Sequence, residues 1–313
     1  MLQPRKRAKP TPVLRSRLTY TSFSNFVNEI IIPAVKENEY TYAPLTRPDE
    51  IRLLILSPSA NLDDPLYCQL VSTADHPTYL PPLTYEALSY TWGNDDPIHE
   101  IKILNFRKEG RKPTLKKLWA KFYVRSNLHA ALRHLRDSAH PIMLWVDALC
   151  INQKDDAERN TQVKRMAEIY NQASNVCVWL GIGDPNSKAA LDSIPKMLDG
   201  STFDELIEDE SKSGIWQSLA LLMRNQWFSR RCVTILAMLL KSQANSTRWV
   251  VQELALAKQA TLHCGRIELA WEDFAVAVAL FMKDFERIHT LVRKLGHFRT
   301  GFDPLENVQA LGK

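Results

Sequence analysis

The stretch LWVDALCINQKDDAERNTQVKRMAEIYNQASNVCVWLG, residues 144–181, carries the strongest structural signal in the chain. It begins with an apolar run that ends on a carboxylate, Asp147, and continues through a polar loop over residues 151–156. An amphipathic stretch then leads into a second apolar run over 176–180. Open α/β sheets build ligand sites in this way, with polar side chains at the carboxyl ends of buried strands.

The alternation of apolar strands with amphipathic helices extends on both sides of this stretch. Strands are predicted over 50–56, 67–71, 85–92, 101–104, 142–147 and 176–180. Helices are predicted after a Ser126 N-cap, around 163–170, and over 215–228 and 248–261. Alternating strands and helices predict a parallel sheet that is covered on both faces. Because such strands need apolar residues on both faces, we expect 86–90, 144–147 and 176–180 to be central and buried.

Composition indicates a soluble globular protein with a large core. The chain has 313 residues, of which 45% are hydrophobic and 24% charged, as in ordinary globular domains. Its longest uncharged apolar run, 274–282, is shorter than the about 20 residues that a membrane span needs. The five cysteines are dispersed without zinc-ligand spacing. We expect buried, reduced thiols.

The basic charge is concentrated at the start of the chain. Residues 1–17 carry six basic side chains and no acidic one, which predicts a disordered tail, with a nuclear localisation signal or nucleic-acid patch as the alternative. A second basic run, over 107–121, is predicted to be a solvated loop rather than a binding arm.

Ordered sequence blocks across 42–274 closely resemble the HET (heterokaryon incompatibility) domain of filamentous fungi. The blocks are YAPL (42–45), EIRLL (50–54), YEALSYTWG (85–93), NLHAALRHLR (127–136), LWVDALCINQ (144–153), VWLG (178–181), WFSRR (227–231), RWVVQELALAK (248–258) and WEDF (271–274). The resemblance implies a HET domain over 41–280, preceded by the basic tail and a leading helix over 1–40. A helical segment over 281–313 follows, and the chain is either truncated there or a minimal HET-only protein.

HET domains are in turn distantly similar to TIR domains. ALSY (87–90) resembles the first TIR strand, and LWVD (144–147) resembles a TIR strand that ends in Asp. Trp249 and Glu253 resemble the Trp and catalytic Glu of a TIR helix, and their spacing places both side chains on one helical face. The resemblance implies an α/β, flavodoxin-like, TIR-related fold with a mostly parallel central sheet flanked by helices. It also implies NAD cleavage with Glu253 as the catalytic residue; the alternative is a surface glutamate.

The resemblance further implies a nucleotide-binding crevice formed by these residues: Ser89, Tyr90, Trp92, Asp147, Asn152 and Trp249. Alternatives stay open for several of them. Asp147 could instead accept backbone N–H bonds from the 151–156 loop. Strand alternation points either Ser89 or Tyr90 away from the crevice, and Trp92 could serve turn packing.

Three nearby charged residues are expected on the surface. Glu158 is predicted to pair with Arg159 or Arg165 along a helix, a contact of little energetic value. Arg133 and Arg136 are predicted to face solvent.

Residues 232–247 depart from the family pattern, because they separate WFSRR from RWVVQE, which family members run together. Their removal, together with one flanking arginine, restores WFSRRWVVQELALAK, and Ala244-Asn245 can be encoded with a branch-point-like CTAAC. A retained intron is our hypothesis, with a genuine insertion as the alternative. If translated, the segment brings an apolar stretch, 235–240, to the start of the Glu253 helix.

The resemblance implies a trigger of regulated cell death upon non-self recognition in a filamentous fungus. The trigger acts either as an NAD-cleaving enzyme or as a non-enzymatic self-association module. No cofactor or metal is expected to be required, and NAD is the candidate substrate. Expected partners are a second copy or another incompatibility protein, in the cytoplasm, with nuclear entry as the alternative. Nucleic-acid binding is disfavoured because no recognition motif is present. A dehydrogenase or P-loop NTPase is disfavoured because neither glycine-rich fingerprint occurs.

Overall fold

The computed structural model of the chain describes residues 39–75, 83–109, 114–229 and 257–294. The strands are β1 (Arg52–Leu56), β2 (Tyr67–Ser72), β3 (Glu86–Ser89), β4 (His99–Glu109), β5 (Thr114–Val124), β6 (Ile142–Trp145), β7 (Asn175–Trp179), β8 (Ala260–Cys264) and β9 (Ile267–Ala270). The α-helices are α1 (Ser126–Leu135), α2 (Asp147–Cys150), α3 (Asp156–Lys164), α4 (Met166–Gln172), α5 (Pro185–Met197), α6 (Gly200–Glu208), α7 (Ser213–Met223), α8 (Gln226–Ser229), α9 (Trp271–Lys283) and α10 (Phe285–Lys294).

The strands form one sheet in the order β5-β4-β2-β1-β6-β3-β7-β8-β9, which confirms the α/β class. The expectation of a mostly parallel sheet is wrong. Only β2–β4, β3–β6, β3–β7 and β7–β8 pair in parallel, and the other four neighbouring pairs are antiparallel. The reason is that β1 lies antiparallel to both of its neighbours, β2 and β6. In addition, the antiparallel hairpins β4–β5 and β8–β9 form the two ends of the sheet.

The three strands expected at the centre lie there. β6, β3 and β7 are adjacent to one another in the interior of the sheet, and all their residues are buried. Their apolar side chains join the continuous core. The prediction from their near-continuous apolar character is therefore confirmed.

The α1 helix buries the predicted face of Leu128, Ala131, Leu132 and Leu135. Ser126 is not its N-cap, however. Ser126 is the first helical residue, and its backbone N–H donates to the carboxylate of Asp95 from the preceding loop at 2.8 Å. A residue distant in sequence therefore satisfies one of the open N–H groups at the helix start.

Two further predictions of secondary structure are wrong. The basic run over 107–121 is not a loop, because most of it lies in β4 and β5, which pair over their full lengths. The helix predicted over 248–261 does not include its last five residues, since 257–259 are not helical and Ala260 and Thr261 belong to β8; residues 248–256 lie outside the described part of the chain. β8 is a strand because β7 and β9 supply its backbone partners on both sides.

The four cysteines in the described ranges, Cys68, Cys150, Cys177 and Cys264, are free and buried, as predicted; Cys232 lies outside those ranges. Burial raises the pKa of the Cys68 and Cys150 thiols to about 12, so both stay protonated at neutral pH. In the described residues, no helix is both long and apolar enough to cross a membrane.

A polar cluster at the carboxyl ends of the strands

The carboxyl ends of β3, β6, β7 and β8 lie at one edge of the sheet, because these four strands run in parallel. Two of the family-like blocks meet there. The chain leaves β6 through Val146 into the short helix α2, which begins at Asp147. It leaves β3 through Tyr90, Thr91 and Trp92. Side chains from these two segments therefore come within reach of each other.

The Asp147 carboxylate is the centre of this cluster. Its Oδ2 accepts a hydrogen bond from Trp92 Nε1 at 2.8 Å, and its Oδ1 accepts one from the Ala148 backbone N–H at 2.7 Å. The Tyr90 hydroxyl also bonds to it. Burial, reinforced by the Asp147 charge and this hydrogen bond, raises the pKa of Tyr90 well above its usual value. Tyr90 is thus a neutral donor that ties β3 to the start of α2.

The outer side of the cluster is formed by Trp92 and Arg125, both half-buried. The guanidinium carbon of Arg125 lies 5.9 Å from the Trp92 ring centroid, and Nη1 donates to the Gly93 carbonyl at 2.9 Å. Gly93 has φ of 76°, and a Cβ there would lie 2.6 Å from Asp95 Oδ1. Glycine is therefore required for the turn that presents Trp92 next to Arg125.

Ser89 and Tyr90 point to opposite sides, as strand alternation predicts. Ser89 Oγ accepts a hydrogen bond from Trp227 Nε1 of α8 at 3.2 Å, and both side chains are buried. Ser89 therefore contacts α8, whereas Tyr90 contacts Asp147.

Asn152 acts locally in the 151–156 loop. Its Oδ1 accepts from the Lys154 N–H at 3.2 Å, and its own N–H donates to Glu158 Oε1 at 2.7 Å. Asp155 caps α3 by accepting from Ala157 and Glu158. Asn152, Asp155 and Glu158 thus accept N–H groups of the loop and of the start of α3. The alternative role considered for Asp147 was to accept loop N–H groups of this kind. The main chain of Asp147 does contact the loop, since its carbonyl accepts from Gln153 Nε2 at 2.9 Å.

Glu158 is a residue that sequence reasoning misplaced. It does not pair on the helix surface but forms a bidentate ion pair with Arg52 of β1, at 2.6 and 3.0 Å. The two side chains are only 9% and 5% exposed. Burial lowers the pKa of Arg52, but Glu158, together with Tyr40 and Tyr42, outweighs this effect and the net shift is upward. The signal in the sequence was an arginine inside an apolar strand, since buried charges are paired.

Arg52 also connects the block at the start of the domain to α2. Its Nη2 donates to the Ala43 carbonyl at 2.6 Å and its Nη1 to the Cys150 carbonyl at 3.1 Å. Its guanidinium carbon lies 5.0 Å from the Tyr42 ring centroid, and the Tyr42 hydroxyl donates to the Leu149 carbonyl. Arg52 and Tyr42 therefore hold α2 and the loop that follows Asp147 in place.

Arg133 and Arg136 are likewise not solvated as expected. Arg136 is buried and donates to the backbone carbonyls of Asn61, Leu62, Asp64 and Pro65. Arg133 donates to the Leu62 carbonyl and pairs with Asp63. Both arginines fix the β1–β2 loop on α1, because that loop offers several carbonyl acceptors at the helix end.

Trp249, Glu253 and the 232–247 segment lie outside the described residues. Across residues 39–75, 83–109, 114–229 and 257–294, no group of three or more His, Cys, Asp or Glu side chains is placed to hold a metal ion. What the described edge of the sheet offers chemically is a carboxylate oriented by aromatic donors, beside an indole and a guanidinium. Such a surface is suited to a flat, hydroxyl-bearing ligand.

These observations define an α/β domain with a polar cluster at the carboxyl edge of its parallel strands. The family model for the heterokaryon incompatibility protein (HET) matches residues 85–253, and the chain belongs to this family. "Heterokaryon incompatibility protein 6, OR allele" of Neurospora crassa is 32% identical over 236 residues, which cover 69% of this chain and 33% of that protein. The chain thus spans about a third of the length of the curated relative it matches. No solved structure matches the chain, so the flavodoxin-like and TIR-related comparison stays a prediction.

Proposed function

We propose that this chain is a non-self recognition module that triggers regulated cell death in a filamentous fungus. Two things support the proposal: its membership of the HET family and its similarity to a protein named for heterokaryon incompatibility. The observation that carries it is the convergence of Tyr90, Trp92 and Asp147 from two separate family-like blocks. The module acts in the cytoplasm, and the basic leader offers a route to the nucleus.

The mechanism we propose for the trigger is cleavage of NAD. The bond between ribose C1′ and the nicotinamide nitrogen breaks, nicotinamide leaves as a neutral base, and water adds to the ribose with loss of a proton. Because the departing ring is cationic in NAD, no general acid is needed. The oxocarbenium-like transition state needs a nearby anion, which Glu253 supplies. No cofactor takes part.

Substrate binding is assigned to the cluster around Asp147. The carboxylate binds a ribose hydroxyl, while Trp92 and Trp249 stack against flat rings of the dinucleotide. Tyr90 positions Asp147 rather than the substrate. Ser89 and Asn152 are the weaker members of the set, because the Ser89 hydroxyl contacts Trp227 and the Asn152 carbonyl oxygen accepts from its own loop.

The alternative is signalling by assembly without catalysis. Glu253→Gln separates the two, because it keeps the side-chain shape and removes the charge. We expect the variant to lose nicotinamide release from NAD, measured by chromatography, and to lose killing in fungal cells at equal protein levels. Glu272→Gln, at an exposed position at the start of α9, is the matched control and keeps both. If killing persists without NAD cleavage, the enzyme mechanism fails and assembly alone is left.

The experiment is run on two forms of the protein, with and without residues 232–247. We expect activity only in the form that lacks them, because the added segment directly precedes the helix assigned to Glu253. Sequencing of spliced transcripts tests the intron hypothesis separately. Transcripts that all retain these codons would reject it.

A further inference from the structure

Arg125 is a cation at the carboxyl edge of the sheet to which the proposed mechanism assigns no role. It directly precedes α1, and its guanidinium carbon lies over the Trp92 ring, 5.9 Å from the ring centroid. Burial is the main cause of the raised pKa of Tyr90; the charge of Asp147 adds to it, and the charge of Arg125 opposes it. The guanidinium therefore belongs to the same cluster as the carboxylate assigned to the ribose.

Much of the hydrogen-bonding capacity of Arg125 is left over within the described residues. A guanidinium carries several N–H donors in a planar fork, and here Nη1 donates to the Gly93 carbonyl at 2.9 Å. Among the described residues, no carboxylate forms an ion pair with Arg125, whereas Arg52 pairs with Glu158. Since the Arg125 side chain is half-buried rather than enclosed, a ligand can reach it.

The acid of the neighbouring turn, Asp95, is engaged elsewhere. Its Oδ2 accepts the backbone N–H of Ser126 at 2.8 Å. Hydrogen bonds from Ser126 are the main cause of the lowered pKa of Asp95, and the charge of Arg125 makes only a minor contribution. The guanidinium of Arg125 thus has no counter-charge in contact with it among the described residues.

The first turn of α1 fixes the position of Arg125 relative to Trp92. Arg125 bonds the Gly93 carbonyl on one side of Trp92. On the other side, Asn127 Nδ2 donates to the Thr91 carbonyl at 2.6 Å and to the Thr91 hydroxyl at 3.0 Å. The indole and the guanidinium are therefore held next to each other before any ligand arrives, which lowers the entropic cost of binding.

A dinucleotide that binds at this cluster needs a cation. NAD carries an anionic diphosphate, which is joined directly to the ribose. The side chain assigned to the ribose, Asp147, is a carboxylate, and like charges in one site repel each other. A guanidinium can offset this repulsion, because its fork matches phosphate oxygens in a bidentate manner and its plane stacks on aromatic rings.

We propose that Arg125 binds the diphosphate of the dinucleotide substrate, beside the ribose bound by Asp147. This inference rests on the proposed function, because it takes the ligand to be a dinucleotide, and it adds the residue that recognises the phosphates. Arg125 acts in binding rather than in bond cleavage, since the diphosphate is not part of the bond that breaks.

Binding of ADP-ribose to the full chain tests the proposal. This probe keeps the diphosphate and lacks nicotinamide, so cleavage cannot consume it. Arg125→Gln should weaken binding about 10- to 100-fold, measured by calorimetry, because charge-assisted bonds to phosphate are lost. Arg125→Lys should lose less, since it keeps the charge without the fork. Arg287→Gln is the matched control, because it removes the same charge from an exposed position that pairs with Asp284, and it should bind as the wild type does.

A second ligand separates phosphate binding from support of the turn that carries Trp92. Nicotinamide riboside keeps a ribose and has no phosphate, so Arg125→Gln should bind it as the wild type does, measured by NMR titration. Equal weakening of both ligands would mean that Arg125 only supports the turn, and it would overturn the proposal. Wild-type protein that does not bind ADP-ribose would overturn it as well.

The kinetics of NAD cleavage separate this inference from the proposed function. In the form without residues 232–247, Arg125→Gln should raise KM about 10- to 100-fold with little change in kcat, as expected for the loss of an interaction made equally in the ground and transition states. NAD cleavage with an unchanged KM in Arg125→Gln would overturn the inference and leave the proposed function standing. ADP-ribose binding that depends on Arg125, in a protein that does not cleave NAD, would support the phosphate site and overturn the enzyme mechanism.

Discussion

Asp147 and Glu158 come from the same family-like segment, yet their carboxylates have opposite environments. Asp147 lies near the surface of the sheet edge, where neutral donors from Trp92, Tyr90 and Ala148 bind it. Glu158 lies behind it, buried against the guanidinium of Arg52. The Asp147 carboxylate is held by hydrogen bonds next to a half-buried indole. The Glu158 carboxylate forms an ion pair that is almost inaccessible to water.

The difference separates a carboxylate that can meet a ligand from one that can only support the fold. A buried charge pair is weak evidence for net stabilisation, but the loss of one partner leaves an uncompensated charge in the interior. A carboxylate bound by neutral donors can lose a donor at a lower cost. The two sites should therefore respond very differently to single substitutions.

The largest effect is expected at the ion pair. Glu158→Ala leaves Arg52 buried without its counter-charge and should lower the free energy of unfolding by about 3–5 kcal/mol, measured by urea denaturation. Glu168→Ala is the matched control, because Glu168 forms an exposed pair with Arg165 and should cost less than about 1 kcal/mol. Equal losses in the two variants would contradict the contrast between buried and exposed pairs.

A smaller effect is expected at the Asp147 cluster. Tyr90→Phe removes a hydroxyl that bonds a carboxylate and should cost about 2 kcal/mol, in the range of hydrogen bonds to charged groups. The measurement is again urea denaturation, with Tyr123→Phe as the control, since Tyr123 is 43% exposed. If both substitutions are neutral, Tyr90 does not hold Asp147 in the folded state.

Sequence pattern was sufficient to place the Asp147 cluster, because that cluster depends on the order of strands and on alternation along single strands. Apolar runs identified β3, β6 and β7, and their parallel course brings Tyr90 and Asp147 to the same edge. Alternation separated Ser89 from Tyr90. These inferences need only the two-residue period of a strand and the direction of the chain.

The Arg52–Glu158 ion pair depends on a contact between segments that are distant in sequence. Arg52 and Glu158 meet only because β1 runs antiparallel to β6, and no periodicity in either segment reports that pairing. The antiparallel hairpins were also missed. Around Gly265, which has φ of 57°, a two-residue turn joins β8 to β9, and such a turn is a hairpin signal; the helical reading of 248–261 obscured it.

The smallest expected effect is a pH dependence of folding stability caused by His129. The ring of His129 in α1 stacks on that of His99 in β4, with centroids 4.7 Å apart. Burial, together with the charges of His99, Arg133 and Arg136, lowers the pKa of His129 to about 4. The unfolded chain, with an ordinary histidine pKa of about 6.5, then binds more protons than the folded one between these values.

The contribution of His129 to folding stability should therefore be fully present above about pH 6.5 and should be lost as the pH falls toward about 4, since protons favour the unfolded state in that window. Because His129 is only half-buried, solvent screening keeps the loss small. Replacement of the imidazole in His129→Gln should flatten the stability profile between these pH values, measured by urea midpoints. A wild-type slope that survives His129→Gln would show that His129 does not carry the acid sensitivity.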